Sequence, residues 1–292
     1  MHTSRSKRYI LTAAATTLAA ALTGCSDAAP APADAASAAD ADRLPAGHVH
    51  GLAYDRGDDT LLVATHQGLV EVSDDGTAAQ LGPVIDLMGF TATGSDRYLA
   101  SGHPGLRVDL PNPVGLISST DGGQTWTPLS RAGESDFHAL TALSGGGVIG
   151  YDGTLRRSTD GRTWEDLTIP AEPHTLAAAP EGSTVLATTA QGVLRSTDAG
   201  GNWTPVNAAP LLQVLAWADD GTTAVGVSPD GDVWASTDAA ATWRRTGDVG
   251  AAPHAVAVAT RAGGPMEIAA VTDDGLLQSV DGGQAFTLLL GY

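Results

Sequence analysis

The chain has 292 residues, of which 42% are hydrophobic and 5% aromatic, so its length is ample for a packed core built mainly from Val, Leu and Ala. Its formal net charge of −18 argues against nucleic acid as a partner and is compatible with attraction of cations. The 36 glycines and 16 prolines interrupt the chain too often for long helices, so we expect an all-β fold.

The N-terminal segment is predicted to be an export signal rather than part of the fold. Three basic residues precede an uninterrupted apolar, Ala and Thr stretch over residues 9–22, which is short for a transmembrane helix. Leu-Thr-Gly then stands directly before Cys25, the single cysteine, in a pattern that resembles a bacterial lipobox. We therefore predict a signal peptide over residues 1–24 and lipidation of Cys25. This anchor would hold the protein on the extracytoplasmic side of the cell membrane.

The segment after Cys25 is predicted to be a disordered tether that reaches residue 46. It consists of Ala, Asp, Pro and Ser with almost no bulky apolar side chain, so it cannot bury enough surface to order itself. Loss of residues 1–24 removes three basic and no acidic side chains, which changes the net charge from −18 to −21. Residues 47–292 are left as the folded domain, and we expect it to be monomeric.

An internal repeat gives the fold of that domain. Five segments of the form Ser-x-Asp, most of them ending in Trp, recur with their aspartates 39, 38, 40 and 43 residues apart; these are Asp121, Asp160, Asp198, Asp238 and Asp281. Residues 71–78 form a degenerate sixth copy. Four short apolar strands accompany each copy, which is typical of a propeller blade. The repeat predicts a single six-bladed β-propeller with four-stranded antiparallel blades.

The repeated segment resembles the Asp-box of the bacterial neuraminidase (BNR) repeat, which is found in the sialidase superfamily. The resemblance implies that each repeat aspartate is structural and stands in the turn between the third and outermost strands. The physical chemistry agrees, because Asp accepts hydrogen bonds from the N–H groups of its own turn and Gly adopts the positive φ. The copy at Asp160 is one residue short and Ala240 replaces a Gly, so looser turns are expected there. No strand is predicted before residue 47, so ring closure is expected to rely on direct packing of neighbouring sheets.

The first strand of each blade begins with a side chain that should face the central channel. These six ring positions are His50, Met88, His138, His174, Gln213 and His254. A large apolar residue follows each of them at the second residue, so the strand period of two places both on one side. Two residues before the ring positions stand the rim positions, four of which are polar: His48, Asp86, Asp136 and Glu172. His66 and His103 are expected in turns on the same face, and the insertion over residues 105–114 could overhang it.

The ring predicts a transition-metal site. Imidazole and thioether side chains favour copper, and zinc is the next choice. We expect His50, His138, His174 and Met88 to be the ligands, with His48, His66, His103 and His254 in supporting roles or at a second site. Asp86, Asp136, Glu172 and Gln213 are expected to orient the rings by hydrogen bonding to the ring nitrogens that do not face the metal. Alternatively, the histidines descend from one structural histidine of an ancestral blade.

Two other functions stay open from the sequence. A sialidase-like glycoside hydrolase would use carboxylate pairs such as Asp86 with Asp136, but the arginine cluster of sialidases is not evident. A non-catalytic propeller could instead hold a partner protein as an assembly scaffold. The motifs at residues 48–54, 86–90, 101–104 and 136–140 resemble a family of small bacterial lipoproteins that are classed as glycosyl hydrolases. That resemblance implies a copper-handling context and exported metal-handling partners, so we favour metal binding over catalysis.

Overall fold

The computed structural model describes residues 43–45, 47–57, 60–260 and 264–292. Within these ranges the chain forms 24 β-strands and one short 3-10 turn, Ser144–Gly146. The strands make six sheets of four antiparallel strands each, which confirms the predicted all-β, six-bladed propeller. None of the helical segments in the described ranges has the length and hydrophobicity needed to cross a membrane. The predicted signal peptide, Cys25 and the tether up to residue 42 lie outside the described residues.

Each blade runs in sequence order from an inner to an outer strand. Blades one and two comprise β1 (Val49–Tyr54), β2 (Leu61–Thr65), β3 (Gly68–Val72) and β4 (Ala78–Leu81), then β5 (Ile85–Gly94), β6 (Arg97–Pro104), β7 (Leu116–Ser119) and β8 (Thr127–Ser130). Blades three and four comprise β9 (Ala139–Ala142), β10 (Val148–Tyr151), β11 (Leu155–Ser158) and β12 (Trp164–Leu167), then β13 (Pro173–Ala178), β14 (Val185–Thr189), β15 (Gly192–Ser196) and β16 (Thr204–Pro205). Blades five and six comprise β17 (Val214–Trp217), β18 (Ala224–Val227), β19 (Asp232–Ser236) and β20 (Arg244–Asp248), then β21 (Ala255–Thr260), β22 (Met266–Thr272), β23 (Gly275–Ser279) and β24 (Thr287–Leu290).

The inner strands form a closed ring around the axis. Each contacts the inner strand of the next blade, and β21 returns to β1. Second strands such as β2 and β14 are buried along their whole length because neighbouring blades cover both of their faces. The outer strand β4 is largely open to solvent. The core therefore lies between blades, and it holds the start of every inner strand in a fixed place.

The repeat aspartates organise the turns after the third strands. Asp121 Oδ1 accepts hydrogen bonds from the Ser119 hydroxyl at 2.8 Å and from the Thr125 backbone N–H at 3.0 Å. Asp160, Asp198, Asp238 and Asp281 accept equivalent bonds from a serine hydroxyl and from backbone N–H groups of their own turns. Because the backbone N–H groups of Thr163 and Arg162 donate to Asp160, its pKa falls to about 2. These bonds explain the aspartates without any role in binding.

The turns expected to be looser keep their hydrogen bonds. Ala240 adopts a φ of +63°, the left-handed region that Gly would occupy without strain. Its N–H nevertheless donates to the Ser236 hydroxyl at 3.0 Å, and Asp238 Oδ1 accepts from the Thr242 N–H at 2.9 Å. The missing glycine therefore strains the backbone at Ala240 but does not open the turn.

Ring closure differs from the prediction, because residues before 47 take part in it. The N–H of Leu44 donates to the carbonyl of Gly291 at 2.9 Å, and Arg43 forms a parallel bridge with the same residue. Leu44 is 3% exposed and packs with Val49 of blade one and Leu290 of blade six. The folded domain therefore extends back to residue 43, and the predicted boundary at residue 47 was placed too late. A single leucine next to Ala and Pro residues does not form a hydrophobic pattern, so the sequence does not predict that Leu44 belongs to the folded domain.

Candidate metal site

The six ring positions converge on one cavity at the mouth of the central channel. This cavity, which we call the vestibule, has a volume of about 750 Å³, and its lining includes His50, Met88, His138, His174, Gln213 and His254. The rim residues His48, Asp86, Asp136 and Glu172 stand two positions earlier, and three of them, His48, Asp136 and Glu172, also line the vestibule. Below it, the inner strands enclose a narrower channel of about 210 Å³. At its far end, Arg56 Nε and Asp219 Oδ1 pair at 3.3 Å.

The ring side chains do not follow a simple strand alternation. In blades one, two and four the pairing of the inner strand shifts at the ring position, so that His50, Met88 and His174 are each an extra residue in a β-bulge. A bulge residue is left out of the ladder and its side chain is re-aimed. The prediction that a period of two alone would direct these side chains was therefore incomplete, although they do reach the vestibule.

The closest histidine contact lies within blade one. Nε2 of His50 and Nε2 of His66 are 3.3 Å apart, and Nδ1 of His66 lies 2.7 Å from Oδ1 of Asp86 in blade two. One ligand atom from each of these three residues can be chosen so that all lie within 4.8 Å of one another. His50 sits at the bulge of β1, His66 follows β2, and Asp86 lies near the start of β5. His66, which was expected to have a supporting role, is therefore a central member of the cluster.

The electrostatic surroundings keep His50 neutral. Burial and the neighbouring His66 lower its pKa from 6.5 to about 4, and the Asp86 carboxylate only partly offsets them. Burial also lowers the pKa of His174, although that side chain is still open to the vestibule. A neutral imidazole has a lone pair on one nitrogen, which is the form that a metal ion requires.

Two more histidines flank the pair. The ring of His48 has its centroid 5.5 Å from that of His66 and 6.4 Å from that of His50. The ring of His254 stands 6.4 Å from His48 on the other side, and its Nε2 lies 2.8 Å from Oδ1 of Asp273. Asp273 was not among the predicted residues. The sequence offered a signal, because Asp273 follows the second strand of blade six, as His66 follows the second strand of blade one.

A separate group lies at the junction of blades two and three. Oδ2 of Asp136 is 3.1 Å from Nε2 of His103 and 2.8 Å from Nε2 of His138. Nδ1 of His103 lies 2.7 Å from Oδ1 of Asn112, which belongs to the insertion over residues 105–114. Asn112 and, to a lesser extent, Asp136 raise the pKa of His103. The insertion thus positions His103, which lies within β6 rather than in the predicted turn.

The remaining predicted residues are less closely associated with the histidines. Glu172 and His174 line the vestibule on the blade-four side. The side-chain amide of Gln213 donates to the carbonyl of Pro253 at 2.6 Å, so it links blades five and six through the backbone instead of orienting an imidazole. The close contacts between histidine rings therefore lie on the side of blades six and one.

Comparisons with known proteins support the fold alone. No protein-family model matches the chain, and no curated protein is similar to it by sequence. Among solved structures, a gluconolactonase from Xanthomonas campestris is 12% identical with a TM-score of 0.59, over 81% of this chain and 86% of that one. YCF48 bound to D1 peptide is 18% identical with a TM-score of 0.52, over 84% and 83%. An ancestral GH74 enzyme is 17% identical with a TM-score of 0.53; the match covers 80% of this chain but spans only 36% of that enzyme. At these identities the chain shares a propeller fold with these proteins, two of which are enzymes.

Proposed function

We propose that this protein binds a transition-metal ion beside the vestibule, through His50, which lines it, and His66, which contacts His50. The observation that carries the proposal is the 3.3 Å approach of their Nε2 atoms, with the opposite nitrogen of His66 held by Asp86. When the Nδ1–H of His66 donates to the carboxylate, the lone pair of Nε2 is directed at His50. This carboxylate–histidine arrangement is the one that orients metal-binding imidazoles in proteins.

The spacing of the two nitrogen atoms suits shared coordination. An ion at about 2.05 Å from each nitrogen would see atoms 3.3 Å apart at an angle of about 107°, close to that of a tetrahedron. The apo protein can hold the same contact with one N–H of His50 donating to His66. Because His50 has a pKa of about 4, a second proton does not compete for this position near neutral pH. Metal binding would therefore require only that the proton of His50 move from Nε2 to Nδ1, with no net loss of a proton from the pair.

The remaining coordination positions have candidates nearby. His48 is within reach of both rings, and the second oxygen of Asp86 is not used by the contact to His66. Nitrogen ligands with one carboxylate suit zinc and Cu(II), and the thioether of Met88, which lines the vestibule beside this site, makes copper the better match for the cavity as a whole. We propose copper as the physiological ion, with zinc as the alternative.

A binding role is favoured over glycoside hydrolysis by the use of the carboxylates. Asp86 is committed to His66, and Asp136 is committed to His103 and His138, so this pair is not arranged as a free acid and base. Among the described residues that line the vestibule, there is no arginine to bind an acidic sugar. The vestibule is also wide enough for exchange of the ion, which suits sequestration or delivery. We further propose that a lipid on Cys25 keeps this activity at the outer side of the cell membrane.

Metal content after loading tests the proposal. The full-length protein would be incubated with Cu(II) or Zn(II), passed through a desalting column, and analysed by plasma mass spectrometry. The double variant His50→Ala/His66→Ala should lose tightly held metal, whereas the control His174→Ala should keep it. Equal metal content in the double variant and the parent would exclude the histidine pair as the site. Circular dichroism of each protein would confirm that the blades remain folded.

A further inference from the structure

The arrangement around His50 is repeated one blade later with different chemistry. In blade one, Gly51 pairs with Ala64, and His66 stands two residues beyond Ala64. In blade two, Gly89 pairs with Ser101, and His103 stands two residues beyond Ser101. Met88 therefore corresponds to His50 and His103 to His66. The rim carboxylate of the following blade completes each set, Asp86 in the first and Asp136 in the second.

A histidine occupies the position after the second-strand pairing in blades one and two, but not in blades three to six. The residues equivalent to His66 and His103 are Gly153, Ala190 and Pro229 in blades three to five, where no ligand atom is available in the side chain, and Asp273 in blade six, whose carboxylate faces His254. Blades one and two thus carry two similar sets of side chains in neighbouring positions. The first set is His50 and His66 with Asp86, and the second is Met88 and His103 with Asp136.

The hydrogen-bonding pattern around Asp136 points to a cation. Its Oδ2 atom faces Nε2 of both His103 and His138, while its Oδ1 atom is buried and has no hydrogen-bond partner among the described residues. Both ring nitrogens of His103 face oxygen atoms, Nδ1 at 2.7 Å from Asn112 and Nε2 at 3.1 Å from Asp136. A metal ion between Nε2 and the carboxylate would satisfy both atoms while Nδ1–H of His103 donates to Asn112. A bound ion would also give the unpartnered oxygen a ligand role.

We infer that Met88, His103, Asp136 and His138 form a second metal site, chemically softer than the first and suited to Cu(I). Met88, Asp136 and His138 line the vestibule together. In blade two, the Met88 thioether stands at the position that the His50 imidazole has in blade one. The metal preference should differ accordingly, because sulfur ligands select Cu(I) over the harder divalent ions. The site uses none of the ligands of the first site. Two neighbouring sites of different softness would let one cavity hold copper in both oxidation states.

X-ray absorption of the Cu(I)-loaded protein tests this inference. The full-length protein would be loaded with Cu(I) under anaerobic conditions, and the copper edge would be compared with that of Met88→Leu, a nearly volume-conserving change. We expect a copper–sulfur shell in the parent that is lost in Met88→Leu. The control Met266→Leu removes a methionine of blade six and should keep the shell. Absence of the sulfur shell from the parent, or its persistence in Met88→Leu, would overturn the inference.

Stoichiometry separates the two sites. In an anaerobic Cu(I) titration against a chromophoric chelator, His103→Ala should lose one equivalent and keep the Zn(II) bound at His50 and His66. The variant His66→Ala should show the reverse loss and keep the copper–sulfur shell. Loss of all metal from His66→Ala would refute an independent second site while leaving the proposed function intact. Retention of all metal in His66→Ala, with loss in His103→Ala, would refute the first site and support the second.

Discussion

His66 contacts His50 through one ring nitrogen and Asp86 through the other, at 3.3 and 2.7 Å. The two contacts connect the end of β2 with the bulge of β1 and with the neighbouring blade. Since the carboxylate fixes the tautomer of His66, the nitrogen that faces His50 is the one with the lone pair. The lone pair of His66 therefore points towards His50, where an ion would bind, and several predictions depend on this arrangement.

Removal of the carboxylate should weaken metal binding without removing a ligand from the pair. In Asp86→Asn, the amide can present an N–H to His66 and stabilise the wrong tautomer. We expect metal affinity to fall by about 10–100-fold, as is common for such outer-shell partners. Competition with a chelator of known affinity measures the change. An affinity equal to that of the parent would show that Asp86 does not orient His66.

His48 should contribute less than His50 or His66, because its ring stands 6.4 Å from that of His50 and must move to complete the coordination. In His48→Ala, we expect the ion to remain bound with reduced affinity and one nitrogen fewer in the Cu(II) electron paramagnetic resonance spectrum. His254→Ala is the matched comparison, because His254 lies farther out and is held by Asp273. A spectrum of His48→Ala identical to that of the parent would remove His48 from the coordination sphere.

The apo protein should lose stability as the pH falls from 6.5 towards 4 because of His50. Its pKa is about 4 in the folded protein and 6.5 when unperturbed, so the unfolded chain takes up a proton that the folded chain does not. The stabilising contribution is complete above pH 6.5 and decreases as the pH falls. The lowered pKa of His174 acts in the same direction, while the raised pKa of His103 acts in the opposite one. The comparison must therefore be made against His50→Gln.

Urea unfolding of the apo protein and of His50→Gln at about pH 7.5 and about pH 4.5 measures this effect. The parent should lose more stability than the variant between the two conditions. If both proteins lose the same amount, the protonation of His50 is not coupled to folding. Chelator must be present throughout, since bound metal would stabilise the parent alone.

Closure of the propeller gives a prediction about stability alone. Leu44 is 3% exposed between blades one and six, so Leu44→Ala should lower the free energy of unfolding by about 2–5 kcal/mol. The metal content should not change, because Leu44 does not line the vestibule. Chemical denaturation and metal analysis of the same sample test both statements. A variant as stable as the parent would mean that residues 43–44 do not help to close the ring.

The fold could be predicted from the sequence because the same Ser-x-Asp segment and its strands recur in every blade. The period between Asp121 and Asp281 fixed the number of blades, and the hydrogen bonds of these turns involve residues only a few positions apart. The starts of the inner strands could then be aligned, and this alignment predicted that the ring positions lie at the same end of the central channel. Ring closure was not predictable in this way, because it depends on one leucine outside the repeat, Leu44.

The sequence predicted that the ring positions lie at one mouth of the channel, but not which of these side chains contact each other. Alignment of the blades treats His50, His138 and His174 as equivalent, whereas contact depends on which residues share a blade junction. The bulge at His50 and the turn at His66 bring these two together, and neither distance can be read from a strand period. The roles of Asn112 and Asp273 were missed because their partners are set by the insertion and by the register of blade six.

A crystal of the protein soaked with Zn(II) or Cu(II), with data collected at the metal absorption edge, tests the central claim most directly. We predict an anomalous peak between His50 and His66, at about 2.0–2.1 Å from the Nε2 atom of each. A peak bound only elsewhere, with the two Nε2 atoms still in direct contact, would contradict the account.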